Sequence, residues 1–181
     1  MNRQQFEHVI RAVAAATGID EVVVIGSQAI LGTIPSAPDD MLISMEVDVF
    51  ARGQPVISDI VDGAVGDGSQ FHETFGYYAH GVGEETAVAP AGWMDRLVKV
   101  EIDRNVGIPG TVTALCMEPH DLVLAKLAAG RDHDIEFAQL ALQLGVVGMS
   151  TLVSMVELMP ANLRPVVRSL LKLAGADRDD R

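Results

Sequence analysis

Two acids stand one residue apart in "SMEVDVF", Glu46 and Asp48, and well before them an apolar run, "VVVIG", stops at Gly26-Ser27. Side chains alternate across a β-strand, so Glu46 and Asp48 share one face with Ser44, while Met45, Val47 and Val49 take the other. Carboxylates are poor strand formers, and two side by side repel unless a cation lies between them. Two readings follow. The strand turns a polar face to water, or it carries a metal site, since Mg2+ is held by one or two carboxylates together with substrate phosphates. The Gly-Ser suits the second reading. A strand that ends in Gly before a helix start leaves backbone N–H groups and a positive dipole end, which attract phosphate. Glycine lets a ligand approach the backbone, and the Ser27 hydroxyl adds a donor. By itself the dipeptide is also an ordinary turn, and neither a P-loop nor a dinucleotide-binding glycine motif accompanies it.

The elements that must position these residues can be read along the chain. "RQQFEHVIRAVAAATG" puts Phe6, Val9, Ile10, Val13 and Ala14 on one helical face before a Gly stop. "DEVVVIG" predicts a strand, "SQAILG" a helix start, "SAPDD" a loop and "MLISMEVDVFA" a second strand. Gln54 to about Gly63 predicts a helix with its proline in the opening turn. "GDGSQFHETFGYYAHGV" reads as loop and then strand, and "ETAVAPAGWMDRLVKVEID" as two strands split at Pro-Ala-Gly. "GTVTALCMEP" is a further strand. The character then changes to helix, in "PHDLVLAKLAAGRDHDIEFAQLALQLG" with an interruption at Gly130, and in two shorter helices separated by Pro160. The expected plan is an α+β fold: an α/β core over 1–118, a C-terminal helical region over 119–175 packed on that core, and a frayed tail at 176–181.

Composition narrows the partners. The chain has 181 residues, 49% hydrophobic and 21% charged, enough for one full core and too apolar for disorder over most of its length. A net charge of −12 opposes a phosphate-gripping face for duplex DNA, whereas a small anionic ligand escorted by a divalent cation escapes that penalty. No apolar run is long enough to span a membrane, and the N-terminal stretch lacks a signal peptide's apolar core. The single Cys116 permits no internal disulfide, reads as an inert core thiol and fits a reducing, cytoplasmic setting.

Other polar residues carry two readings each. Lys126 sits among Leu122, Val123, Leu124 and Leu127, either snorkelling from a half-buried helix or offering a compact charge to phosphate. Arg131 and Asp134, three apart, can form a helix surface pair. Ser69 and His72 fall in "SQFHETFGYY", a loop that either packs on itself or touches a base or acceptor. The five histidines lack zinc-ligand spacing.

Strand, Gly-Ser, helix start, then a strand with two same-face acids: this order resembles the nucleotidyltransferase superfamily. The segments "GSQAILG", "SMEVD", "SQFHETFGYY", "APAGWMDRL" and "EPHDLVLAKLAAGRDHDIEF" are similar to the AbiEii-related group, which includes the MenT-type bacterial toxins. The similarity runs from about Val22 to Gly145. It implies a small mixed sheet with flanking helices and a C-terminal helical region. It also implies transfer of a nucleotide from an NTP, with Mg2+ or Mn2+, to an acceptor that is RNA in characterised toxins. A cognate antitoxin protein is the implied partner. By the same resemblance Gly26 and Ser27 match the phosphate-binding turn; Ser44, on the strand face of the acids, is a further phosphate-binding candidate. Glu46 and Asp48 match the metal-binding acids. Lys126 matches the lysine that holds the triphosphate, with Arg131 beside it, and Asp134 the acid that orients Lys126 or activates the acceptor. Glu46 stands where many members have Asp, and the superfamily's third acid has no clear match; Glu101 in "LVKVEID" is the candidate. A degenerate, non-catalytic nucleotide- or protein-binding module on the same scaffold is therefore the alternative.

Overall fold

The structure is a computed structural model that describes residues 1–105 and 107–176. It divides into two compact units, one made of Met1–Thr86 with Leu97–Met117, the other of Ala87–Arg96 with the chain from Glu118 onward.

The first unit opens with α1 (Arg3–Thr17). Asn2 accepts from the Gln5 amide at 3.0 Å while the Gln5 side chain accepts from the Asn2 amide at 2.8 Å, a reciprocal cap that starts the helix. Its expected apolar stripe, Phe6, Val9, Ile10 and Val13, is wholly buried. Five strands follow: β1 (Glu21–Ile25), β2 (Glu46–Phe50), β3 (Tyr78–Gly81), β4 (Val98–Asp103) and β5 (Thr111–Cys116). They form one open mixed sheet in the order β3-β2-β1-β5-β4. β1 runs antiparallel to β2 and parallel to β5, β2 is parallel to β3, and β4 is antiparallel to β5. Helices α2 (Val56–Val65) and α3 (Gln70–Phe75) lie between β2 and β3.

Register sorts the side chains between two faces. Val22, Val24, Val47, Val49, Ala114 and Cys116 share one face and are all buried. A Cβ added to Gly81 on this face would meet the Ser58 carbonyl oxygen at 2.2 Å, so α2 rests directly on the β3 backbone. Burial pushes the Cys116 thiol up to about 12, which leaves it the inert core group expected. The opposite face carries Glu46, Asp48, Tyr78 and His80 at its β2–β3 end.

Several elements depart from the sequence reading. "SQAILG" is a six-residue 3-10 turn, Ser27–Gly32, in place of the start of an α-helix. The strand expected over "MLISMEVDVFA" is confined to Glu46–Phe50. Its ladder on β1 ends at the Ile25–Asp48 pair because β1 itself turns away at Gly26, so residues 41–45 have no strand to pair with on that side. The loop expected before β3 contains α3, started by the Ser69 hydroxyl accepting from the His72 amide at 3.1 Å. "ETAVAP" forms no strand. Pro90 has no N–H for a ladder, and the Ala91 amide donates to the Leu158 carbonyl at 2.8 Å within the second unit.

That second unit contains α4 (Pro119–Ala129), α5 (Asp132–Gln143), α6 (Met149–Met155) and α7 (Arg164–Ala176). The Glu118 carboxylate caps α4, accepting from the amides of His120 and Asp121. Arg96 grips the buried Asp121 with two hydrogen bonds, of 2.8 and 2.7 Å, which fastens the 87–96 segment to α4. Gly130, with φ at +68°, ends α4 and lets the chain turn into α5. Of the tail expected at 176–181, Ala176 closes α7 and 177–181 lie outside the described residues. Among the described residues, no helix is long and apolar enough to cross a membrane.

Candidate active site

β1 runs four buried residues, Val22–Ile25, into Gly26 and stops. Gly26 adopts φ +69°, a region that favours glycine, and its carbonyl accepts from the Ala29 amide at 3.1 Å to close the first 3-10 turn. A second constraint acts on the same residue. A Cβ there would lie 2.2 Å from Asp48 Oδ2, so the carboxylate fills the space a side chain would need. Sequence pairs Gly26-Ser27 with Asp48 only by order; the fold puts Gly26 and Asp48 in contact. Gln28, buried behind the turn, donates to the Ser44 carbonyl at 2.8 Å and ties the turn to the segment that leads into β2. The Ser44 hydroxyl accepts from the Glu46 amide at 3.1 Å and so sets where the strand starts.

Glu46 and Asp48 lie on one face, as alternation requires, each half-buried, with Val47 completely buried between them. The adjacent parallel strand supplies their partners. Register places Tyr78 beside Glu46 and His80 beside Asp48. The Tyr78 hydroxyl donates to Glu46 Oε2 at 3.0 Å, and His80 Nδ1 stands 3.0 Å from Asp48 Oδ1. Burial, then the hydrogen bond to Glu46 and the charges of Glu46, Asp67 and Asp48, push the Tyr78 hydroxyl up to about 12. The corner is electronegative. His72 packs its ring on Tyr78 with centroids 4.6 Å apart, and its Nδ1 is 2.9 Å from Asp67. Ser69 serves as the cap of α3.

Glu101 does not join this group. It shares the face, yet sits on β4, three strands from β2 and four register positions along, which separates it from Asp48 by roughly 15–20 Å. It is exposed and bonds to Lys99 at 2.7 Å. Among the described residues, no group of three or more His, Cys, Asp or Glu side chains is arranged to hold a metal ion. Sequence reasoning missed Tyr78 and His80. Their signal is the polar alternation of "YAH", but only the parallel pairing through α2 and α3 shows which acids they face.

The remaining candidates belong to the second unit. Lys126 is buried, donates to Asp134 Oδ1 at 2.9 Å and sits 4.8 Å from the centre of the Phe137 ring. The snorkelling reading of Lys126 therefore fails, because its ammonium finds a carboxylate inside. Arg131 adds Nε to Oδ2 at 2.7 Å and Nη2 to Oδ1 at 3.3 Å. Nor is this a surface pair, since Asp134 has no exposure while the Arg131 side chain is 63% exposed. On an unbroken helix Lys126 and Asp134 would diverge; the turn at Gly130 brings them together. Burial alone would raise the Asp134 carboxyl, but the bonds from Arg131 and Lys126 outweigh it and hold the group below the usual range. Two cations, Lys126 and Arg131, thus meet on the one buried Asp134 carboxylate.

A family model described as a nucleotidyltransferase of unknown function, DUF6036, matches residues 4–162, a span that includes both clusters. No curated protein and no solved structure matches the chain.

Proposed function

The chain belongs to the nucleotidyltransferase family DUF6036, and from that premise we propose that it transfers a nucleotide from an NTP to an acceptor with Mg2+ or Mn2+. Asp48 and Glu46 would hold the ion. Their hard oxygen donors suit it, and two carboxylates completed by triphosphate oxygens are the usual Mg2+ arrangement. When bound, the ion neutralises phosphate charge and aligns attacking and leaving oxygens. The Gly26-Ser27 backbone would receive phosphate oxygens, and Ser44 keeps Glu46 in register. By the family resemblance Lys126, with Arg131 beside it, would bring positive charge to the triphosphate, and Asp134 holds the Lys126 ammonium. Such transfer is positioning plus charge neutralisation, so no exotic side chain is needed. The resemblance of "GSQAILG" and "KLAAGRDHDIEF" to the AbiEii-related and MenT-type group supports RNA as acceptor and a cognate antitoxin as protein partner.

One observation carries the proposal: the Asp48 carboxylate occupies the space beside the Gly26 backbone that a Cβ would take. A ligand that meets the turn therefore meets the acid. The test is incubation of the full chain with labelled NTPs, Mg2+ and bulk RNA, read as labelled RNA or released pyrophosphate. Asp48→Asn abolishes both while the circular dichroism spectrum is unchanged. Unchanged Mg-NTP affinity in that variant would count against the assignment.

The remoteness of Glu101 favours a second reading, a nucleotide-binding module without transfer. It predicts Mg-NTP binding with no label in RNA and no pyrophosphate from any NTP.

A further inference from the structure

We propose that His80 is a nitrogen donor to the divalent ion held by Asp48, and that it biases the site toward transition-metal divalents over Mg2+. The inference rests on the reading of Asp48 as a metal-holding carboxylate and goes beyond it by making His80 its companion. With Glu46 engaged by Tyr78, and no three His, Cys, Asp or Glu side chains among the described residues arranged around one ion, Asp48, His80 and triphosphate oxygens form the set. Its first support is register. β3 runs parallel to β2, so His80 and Asp48 are direct neighbours projecting from one face, on the open side of the sheet's β2–β3 end. Its second support is distance. Two donors bound side by side on an octahedral ion with bonds of about 2.0–2.1 Å lie about 3 Å apart. His80 Nδ1 and Asp48 Oδ1 are 3.0 Å apart, so both reach one ion without rearranging their strands.

Access and competition point the same way. The His80 side chain is 51% exposed and that of Asp48 24%, so an ion and a triphosphate can arrive from solvent. Glu101 is too distant to take the position, and Tyr78 is held as a donor to Glu46. With an ion between the pair, Nδ1 is the unprotonated nitrogen and Nε2 carries the proton. Exchanging a carboxylate oxygen for an imidazole nitrogen moves preference away from Mg2+, which favours oxygen shells, toward metals later in the first row.

The experiment uses tag-free full-length protein, Mn2+ as the probe and inorganic triphosphate as a nitrogen-free ligand. Pulsed electron paramagnetic resonance of the wild type shows modulation from one directly bound imidazole nitrogen. His80→Ala loses that modulation and weakens Mn2+ binding about tenfold, while His72→Ala retains the modulation. His80→Asp restores binding with Mg2+ preferred relative to wild type. If Asp48→Asn removes Mn2+ binding but the wild-type signal carries no nitrogen modulation, the His80 inference alone is overturned. If Asp48→Asn leaves Mn2+ binding unchanged, or wild type binds none, the metal reading falls and this inference falls with it.

Discussion

Asp48 and Asp134 solve opposite problems with the same side chain. Asp134 has no exposure and meets the Lys126 ammonium at 2.9 Å and the Arg131 guanidinium at 2.7 Å. Its compensation is built in. Asp48 lies against a glycine backbone at a partly open corner, beside Glu46, where the neighbouring strand offers a phenol and an imidazole. That corner repels a phenolate strongly enough to keep Tyr78 protonated to about 12, with burial the largest cause and nearby carboxylates adding to it. The difference teaches where a charge belongs to the fold and where it is left for a ligand. An acid sealed with two cations holds helices together; paired acids beside a half-buried glycine turn are suited to a cation brought from outside.

The largest effect should come from breaking the sealed site. Asp134→Ala leaves the buried Lys126 ammonium without its carboxylate and should cost about 3–5 kcal/mol in urea unfolding. Acid should do the same more gently. Asp134 has a folded pKa below its unfolded one, so its stabilisation is complete above about pH 4 and is lost as pH falls through the folded value. The wild type should therefore lose stability below that pH more steeply than Asp134→Asn. Equal acid slopes in the two proteins would dissolve the contrast drawn above.

Gly26→Ala should be next. With φ +69° and ψ −173° Gly26 occupies a region that is essentially glycine's alone, where a side chain costs about 1–3 kcal/mol, and the new methyl collides with Asp48 Oδ2. A loss of about 2–3 kcal/mol in the same assay is expected, together with loss of metal-dependent triphosphate binding by calorimetry. Asp48→Asn separates those two readouts. It should abolish binding yet shift stability by no more than about 0.5 kcal/mol, because it relieves repulsion from Glu46 at a partly open corner. An Asp48→Asn variant as unstable as Asp134→Ala would mean the corner is structural after all.

How much of this was legible in the sequence follows from range. The α1 stripe, the Gly-Ser stop and the shared face of Glu46 and Asp48 rest on local period and were readable. So was the change to helices after Glu118. What escaped depends on distant pairing. The end of β2 is set by where β1 turns, α3 hides in a stretch rich in turn residues, and the 87–96 segment serves Asp121 and Leu158 instead of a sheet. Lys126 and Asp134 stand out by resemblance, but their contact needs the break at Gly130, which periodicity treats only as an interruption. Tyr78 and His80 stay hidden from local pattern, because a phenol and an imidazole gain meaning only from the strand beside them.

The variant predicted to disturb binding least is the sharpest probe of that neighbouring strand. Tyr78→Phe removes one hydroxyl donated to Glu46 Oε2 at 3.0 Å and should cost about 1 kcal/mol, close to an ordinary hydrogen bond. Metal-dependent triphosphate binding should stay near wild type, since the Glu46 oxygen is released and not lost. The converse change tests the field itself. In a Tyr77→Phe background, ultraviolet titration of the remaining, half-buried phenol should show ionisation only near pH 12, and Glu46→Gln should bring it down. The sign is fixed by charge: a carboxylate next to a phenol stabilises the neutral form, so removing it makes the proton easier to lose. If Glu46→Gln leaves the titration unmoved, burial and the more distant Asp67 and Asp48 set it, and Glu46 adds less negative charge to the corner than a divalent ion would require.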